Sequence, residues 1–154
     1  MAARYRKLKE IPVEQRLVVR RSHIHGWGLF TLMPFAPNDM IVEYMGEKIR
    51  RCVADQREKK YEEMGLGSCY LFALDASTII DATRAGGPAR FINHCCGPNA
   101  DAKVVAVDGV PKLVIVARRA LAVGEEVTYD YKFEYENDKI ACHCGAAKCR
   151  GSMN

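Results

Sequence analysis

The sequence predicts a mainly β domain, and three observations carry that expectation. Short β-branched or apolar runs recur along the chain, with Gly, Pro, Asn or Asp in most of the gaps between them. Only one segment has a helical pattern. The regular strand–helix–strand alternation of a Rossmann-type nucleotide or methyl-donor fold is missing. At 154 residues the chain is long enough for one domain with its own core.

Taken in order, the expected strands are 17–19, 40–45, 69–74, 78–80, 104–107, 113–116 and 127–131. Asp108-Gly109 between two valine-rich runs is a hairpin signal, and Val110-Pro111 predicts a loop longer than two residues. The helix is expected over 48–64, where Ile49, Cys52, Val53 and Tyr61 are spaced among charges and Gly65 and Gly67 stop it. So weak an apolar stripe predicts a helix that is half exposed or covered by something else. His25-Gly26-Trp27-Gly28 reads by itself as a tight turn between strands, because no third glycine and no helix follow its G-x-G. This divides the chain into a basic flank (1–16), a body (17–135) with a helical insert (48–64), and a cysteine-bearing tail (136–154).

Charge is unevenly spread behind a formal net of +4. Residues 4–21 hold seven basic and two acidic side chains, and 125–138 hold six acidic and one basic. A basic arm is suited to nucleic acid, and an acidic rim to a basic peptide. No apolar run approaches the ~20 residues of a membrane span, and the N-terminus lacks the pattern of an export signal.

Seven cysteines, an odd number, fit a reducing compartment and metal ligation better than a disulfide framework. Cys142, Cys144 and Cys149 form a C-x-C-x4-C cluster in the tail. Tetrahedral Zn²⁺ wants four soft ligands, so a fourth must come from elsewhere. The segment 90–99 offers Cys95 and Cys96, which spacing alone does not separate. A metal shared between them would clamp the tail onto the middle of the domain. Cys52 and Cys69 read as core or neutral cysteines.

Three further stretches complete the pattern: His25-Gly26-Trp27-Gly28-Leu29-Phe30, Arg90-Phe91-Ile92-Asn93-His94-Cys95-Cys96-Gly97-Pro98-Asn99 and Glu125-Glu126-Val127-Thr128-Tyr129-Asp130-Tyr131. In this order, ahead of the C-x-C-x4-C tail, they resemble the SET domain and post-SET segment of protein lysine methyltransferases, from about Leu17 to Asn154. Asn93-His94-Cys95-Cys96, Trp27, Tyr131-Lys132-Phe133 and the ending Cys149-Arg150-Gly151-Ser152-Met153-Asn154 are similar to the trithorax and COMPASS-type branch, also called the mixed-lineage-leukaemia type. Ala100 stands where that branch often carries a cysteine or aromatic residue.

The resemblance implies a SET fold of small sheets with a pseudoknot, in which the chain after Tyr131 passes through a loop made by the Asn93 region. It implies S-adenosylmethionine as methyl donor, one structural zinc held by Cys96, Cys142, Cys144 and Cys149, and the lysine-4 side chain of the histone H3 tail as acceptor. Tyr131 would place its hydroxyl beside the reacting methyl, Tyr129 would limit the methylation state, and Tyr44 would line the lysine channel. His25, Trp27, Tyr70, Asn93 and His94 would hold the donor, with His143 and Met153 against its adenine. The implied partners are the nucleosome and activating COMPASS-type subunits that bind the insert; the implied place is chromatin in the nucleus. Other readings are a SET enzyme for another lysine, or a chromatin-binding module without turnover. The intact tyrosine pair and Asn93-His94 argue against the last.

Overall fold

A computed structural model describes residues 1–66 and 70–154. The elements, in order, are α1 (Ala2–Glu10), α2 (Val13–Arg16), β1 (Leu17–Arg21), β2 (Trp27–Thr31), β3 (Met40–Glu43), β4 (Glu47–Arg50), α3 (Arg51–Glu63), β5 (Leu71–Ala73), β6 (Thr78–Asp81), a 3₁₀ turn (Pro88–Phe91), β7 (Asn93–His94), β8 (Ala100–Val107), β9 (Val110–Ala117) and β10 (Glu126–Tyr129). The strands form three small sheets, ordered β1-β2-β10-β7, β3-β9-β8 and β4-β6-β5. The expected mainly β fold is what forms.

Alternation explains the central sheet contacts. Leu29, Val127 and Ile115 are fully buried and belong, with Ile41, Ile92 and Leu113, to one apolar cluster that all three sheets enclose. Most of the folding free energy comes from removing such side chains from water, about 1.5–3 kcal/mol for each large one. β10 lies between β2 and β7, antiparallel to the first and parallel to the second. Asn99 fastens the same two segments: its side-chain amide donates to the Glu126 carbonyl at 2.8 Å and its Oδ1 accepts the Thr128 N–H at 2.9 Å. Residues 93–99 and 126–131, the two stretches that the resemblance brings together, are therefore directly joined.

Four local expectations need correction. The basic flank is also helical, where the sequence predicts only one helical segment: α1 lays Leu8 into a second apolar cluster with Met40, Val105, Val107, Val114 and Val116, and Tyr5 donates its hydroxyl to Glu43. Arg4 and Lys7 stay exposed on its outer side. The helix starts at Arg51 and not at 48, because Glu47–Arg50 pairs with β6 from Glu47↔Asp81 to Arg50↔Thr78. The β8–β9 loop has two residues and not more, since Val107 faces Val110; Asp108 (φ 50°) and Gly109 (φ 78°) both adopt the left-handed conformation of a type I′ turn, and Pro111 is taken into the strand opposite Ala106. The last strand stops at Tyr129, where Asp130 Oδ1 accepts the Lys132 N–H at 3.0 Å and Lys132 turns to φ 52°. Of the expected strand 69–74, Leu71–Ala73 forms; Gly67 and Cys69 lie outside the described residues.

The insert is half-exposed, the first of the two outcomes that its weak stripe predicts. Only Ala54 and Tyr61 of α3 are buried, and Cys52 is exposed. Its anchor is polar: the buried Asp81 carboxylate accepts the Tyr61 hydroxyl at 2.7 Å and the Arg57 guanidinium at 2.8 Å.

Candidate active site

One cavity of about 780 Å³ opens where β2, the 3₁₀ turn, β7, β10 and the tail meet. Its lining includes Tyr44, Tyr129 and Tyr131 at one part, and His25, Trp27, Tyr70, Asn93, His94, His143 and Met153 around the rest. All ten residues that sequence reasoning assigned to lysine or donor thus line one space.

The glycine turn is shaped by Ser22. Its hydroxyl oxygen accepts the Ile24 N–H at 2.9 Å and donates to the Glu126 carboxylate, 2.8 and 2.9 Å away. Glu126 also accepts from the Asn93 amide at 2.8 Å, and the same amide nitrogen reaches the carbonyls of Trp27 (2.9 Å) and His25 (3.2 Å). Asn93 therefore ties the turn to β7 and β10. A Cβ at Gly28 would meet the Glu126 carboxylate and displace it from its bonds to Ser22 and Asn93. Trp27 stays half-exposed, with the Arg21 guanidinium 4.4 Å from its ring centre.

Aromatic rings fill the other end. Phe72 lies 5.3 Å from Tyr44 and 5.8 Å from Tyr129; Tyr129 is 4.9 Å from Tyr131, and Tyr131 is 5.2 Å from Phe133. Desolvation, reinforced by the neighbouring hydroxyls, raises Tyr44, Tyr129 and Tyr131 well above the ordinary phenol range. They stay protonated at neutral pH, so none is a phenolate base. The Tyr131 hydroxyl donates to the Ile92 carbonyl at 2.6 Å.

His94 has a defined tautomer. Its Nδ1 accepts the Tyr131 N–H at 3.1 Å, so the ring proton sits on Nε2, which faces Cys96 Sγ at 3.4 Å. Burial lowers the imidazole pKa, and the ring is neutral at pH 7. The Asp130 oxygen 3.6 Å from Nδ1 is accordingly not an ion-pair partner of His94; Asp130 is paired with Arg150 instead, at 2.9 and 3.0 Å.

Cys96, Cys142, Cys144 and Cys149 bring four sulfurs within 4.8 Å of one another, with Cys96 3.7 Å from Cys142 and 3.9 Å from Cys149. Bonds of about 2.3 Å from a tetrahedral Zn²⁺ give sulfur–sulfur edges of about 3.8 Å, so the donor set suits a metal ion. Burial opposes ionisation of Cys144, but the Cys96 and Ala146 backbone N–H groups outweigh it and bring the thiol down to about 6. N–H groups of Arg150 and Gly151 face Cys96 and Cys149 at 3.5 and 3.4 Å. Cys95 is not one of these four; it is buried, with its thiol against Cys144. His143 is exposed, lines the cavity, and is not among the four ligands.

Sequence reasoning missed Phe72, Phe133, Arg90 and the Asp130–Arg150 pair. Arg90 lines the cavity with its guanidinium 5.7 Å from the Tyr70 ring and 4.9 Å from Phe91; it donates to the Ala82 carbonyl, while its buried Nε–H has no partner among the described residues. The signal for Arg90 was its place two residues before Ile92-Asn93; the other three gave none beyond falling inside or beside a motif.

The model of the SET domain matches residues 26–132. The chain is 52% identical over 141 residues, 92% of its length, to the human histone-lysine N-methyltransferase SETD1A, and 51% identical over the same span to human SETD1B. It is 50% identical over 149 residues, 96% of its length, to the histone-lysine N-methyltransferase set-2 of Caenorhabditis elegans. It spans 8%, 7% and 10% of the length of those proteins. Since the matched stretch runs from the glycine turn through Asn93-His94 to the tyrosine pair, the segments that build the cavity, the chain belongs to the SET-domain family.

Proposed function

We propose that this chain is the catalytic domain of an S-adenosylmethionine-dependent histone-lysine methyltransferase, acting at chromatin in the nucleus on the lysine-4 side chain of the histone H3 tail. The observation that carries this reading is a single cavity with an aromatic, hydroxyl-lined end for an alkyl amine and a polar end for a zwitterionic nucleoside. Its volume suits a ligand of that size. S-adenosylmethionine, when bound, supplies an electrophilic methyl on a cationic sulfur.

The chain's own residues must supply a neutral amine and an alignment. A lysine amine with pKa ~10.4 is neutral in about one molecule in a few thousand at pH 7. A channel of Tyr44, Phe72, Tyr129 and Tyr131 desolvates the ammonium and lowers that pKa, so no side-chain base is needed and the proton leaves to water before displacement. With the donor bound, the amine lone pair would form the new C–N bond as the C–S bond broke, its electron pair going to sulfur. With its proton committed to Ile92, the Tyr131 oxygen keeps lone pairs for the methyl and amine hydrogens. Most of the acceleration comes from alignment. Exposed Glu134, which also lines the cavity, extends the acidic rim toward a basic substrate.

The four-cysteine site would hold one zinc ion whose work is structural. Its donor set is all sulfur and complete, with no open position for chemistry.

Labelled donor with intact H3, and with H3 variants lacking single lysines, tests the assignment. Label lost only when lysine 4 is replaced is the expected result. Label retained without lysine 4 would overturn the substrate, and no label on any acceptor would overturn the activity.

Tyr129→Phe is expected to retain activity and raise the methylation state, because the missing hydroxyl frees room for an amine already carrying methyl groups. Tyr129 is buried between Phe72 and Tyr131, so the space is created inside the channel. Mass spectrometry of a histone peptide after long incubation reads this; an unchanged product state would exchange the roles given to the two tyrosines.

The isolated domain is expected to be slow. α3 rests on the sheet through two buried side chains and the Asp81 and Glu47 carboxylates, which leaves it freer than the strands. COMPASS-type subunits that hold α3 should raise kcat with little change in donor affinity, and Arg50 and Lys59, both exposed, are placed to meet them. Titrating reconstituted subunits into the assay checks this; an unchanged rate at saturation would remove α3 as the regulated element.

A further inference from the structure

The tail residues Ile140, Ala141, Cys142, His143 and Met153 form part of the cavity wall, so whatever holds the tail in register holds the site. Among the described residues, the hydrogen bonds joining 138–154 to the rest of the domain run either through cysteine sulfur or from Arg150 to Asp130. The second link is a fork: Arg150 Nη1 donates to Asp130 Oδ2 at 2.9 Å and Nη2 to Oδ1 at 3.0 Å. We propose that Arg150 and Asp130 are a positioning pair, a metal-independent latch that sets the tail against the turn carrying Tyr131.

Three features put the pair in that role. Asp130 stands between Tyr129 and Tyr131, and its Oδ1 also accepts the Lys132 N–H, fixing the left-handed residue that ends the tyrosine segment. The Asp130 side chain is 19% exposed and Arg150 51%, so the fork closes partly out of water. Arg150 is the residue after the ligand Cys149, and its backbone N–H, which no side-chain substitution removes, faces Cys96 Sγ. The side chain can therefore be changed while the sulfur contacts remain. A planar guanidinium suits this fork, and lysine would restore the charge without the second hydrogen bond.

The inference rests on reading the cavity as the donor site, and the test separates the two. In the full chain, amide exchange across 139–154 is read without donor, beside metal content. Arg150→Gln is expected to speed exchange at the Cys142 and Met153 amides, which bond Gly151 and Ile140, while leaving one metal per chain and the α1 and β8–β9 amides unchanged. Asp130→Asn should do the same, the double variant should be no worse than either single, and Arg150→Lys should recover part of the effect. In the second arm, S-adenosylmethionine should bind roughly ten-fold more weakly to Arg150→Gln, a loss suited to a partly screened, charge-assisted pair. Wild-type affinity should fall with added salt, and the variant's should fall less. Unchanged exchange, additive single effects, or loss of the metal in Arg150→Gln would each overturn the latch. Faster exchange in a chain whose wild type binds no donor would uphold the latch and overturn the donor site.

Discussion

Tyr131→Phe is expected to lower turnover by roughly 10²–10⁴-fold, the range for a group that acts on the reacting centre, while donor affinity stays near wild type. The reason lies in which contacts survive. The substitution keeps the ring against Tyr129, His94 and Phe133, and keeps the backbone N–H that holds His94. It removes only the oxygen whose proton is bound to Ile92 and whose lone pairs, in the proposed reaction, would face the methyl and amine hydrogens. A contact made mainly in the transition state lowers kcat without disturbing ground-state binding. Calorimetric titration with donor and single-turnover assays separate the two quantities, and an equal loss of both would make Tyr131 a packing residue.

The pH profile distinguishes this from a phenolate mechanism. All three channel tyrosines are held protonated by burial, with pKa values raised above the usual range. Rising pH should increase wild-type turnover through the neutral fraction of the substrate amine, and no tyrosine ionisation should appear below about pH 10. Tyr131→Phe should show the same slope at a lower level. A slope lost in the variant would mean that Tyr131 titrates in the working range.

How far the sequence could be read depends on where each residue's partner lies. Residues in the family motifs were legible, because their neighbours in space are other motif residues: Asn93 bonds Trp27 and Glu126, and Cys96 sits with Cys142 and Cys149. Elements that depend on distant, ordinary partners were not. α1 offers only Tyr5 and Leu8 to the core among charges, and its burial follows from Val105, Val114 and Glu43 far along the chain. The strand 47–50 is polar at three of four positions and exists because β6 pairs with it. Phe72 carried no signal because an aromatic residue in a short strand normally packs; its special place between Tyr44 and Tyr129 depends on two other segments. Asp130–Arg150 was hidden for the same reason, each charge lying inside a motif noted for its neighbours.

Removing the metal should have the widest effect. Cys144→Ser and Cys96→Ser are each expected to lose the one zinc bound per chain, with donor binding and most activity, whereas Cys95→Ser should keep all three. A structural zinc site of four thiolates contributes on the order of 10 kcal/mol to ordering the segments it joins. Here it joins β7 to the tail, and the segments fail together. Without the cluster, the tail loses every sulfur link and is left with the Arg150–Asp130 fork alone, a partly exposed pair worth roughly 1 kcal/mol. Cys142, His143 and Met153 then leave the cavity wall. His94 loses the sulfur facing its Nε2, and with it a restraint on the ring that accepts the Tyr131 N–H. Cys95 differs because it is buried in the body beside the cluster, where serine can still accept the Gly97 N–H that its sulfur faces. Metal analysis, donor titration and melting curves on the three variants and on chelator-treated protein give the answer. A zinc-free preparation with full activity would show that the tail needs no metal to close the site, and a Cys95→Ser protein without zinc would place the fourth ligand one residue earlier.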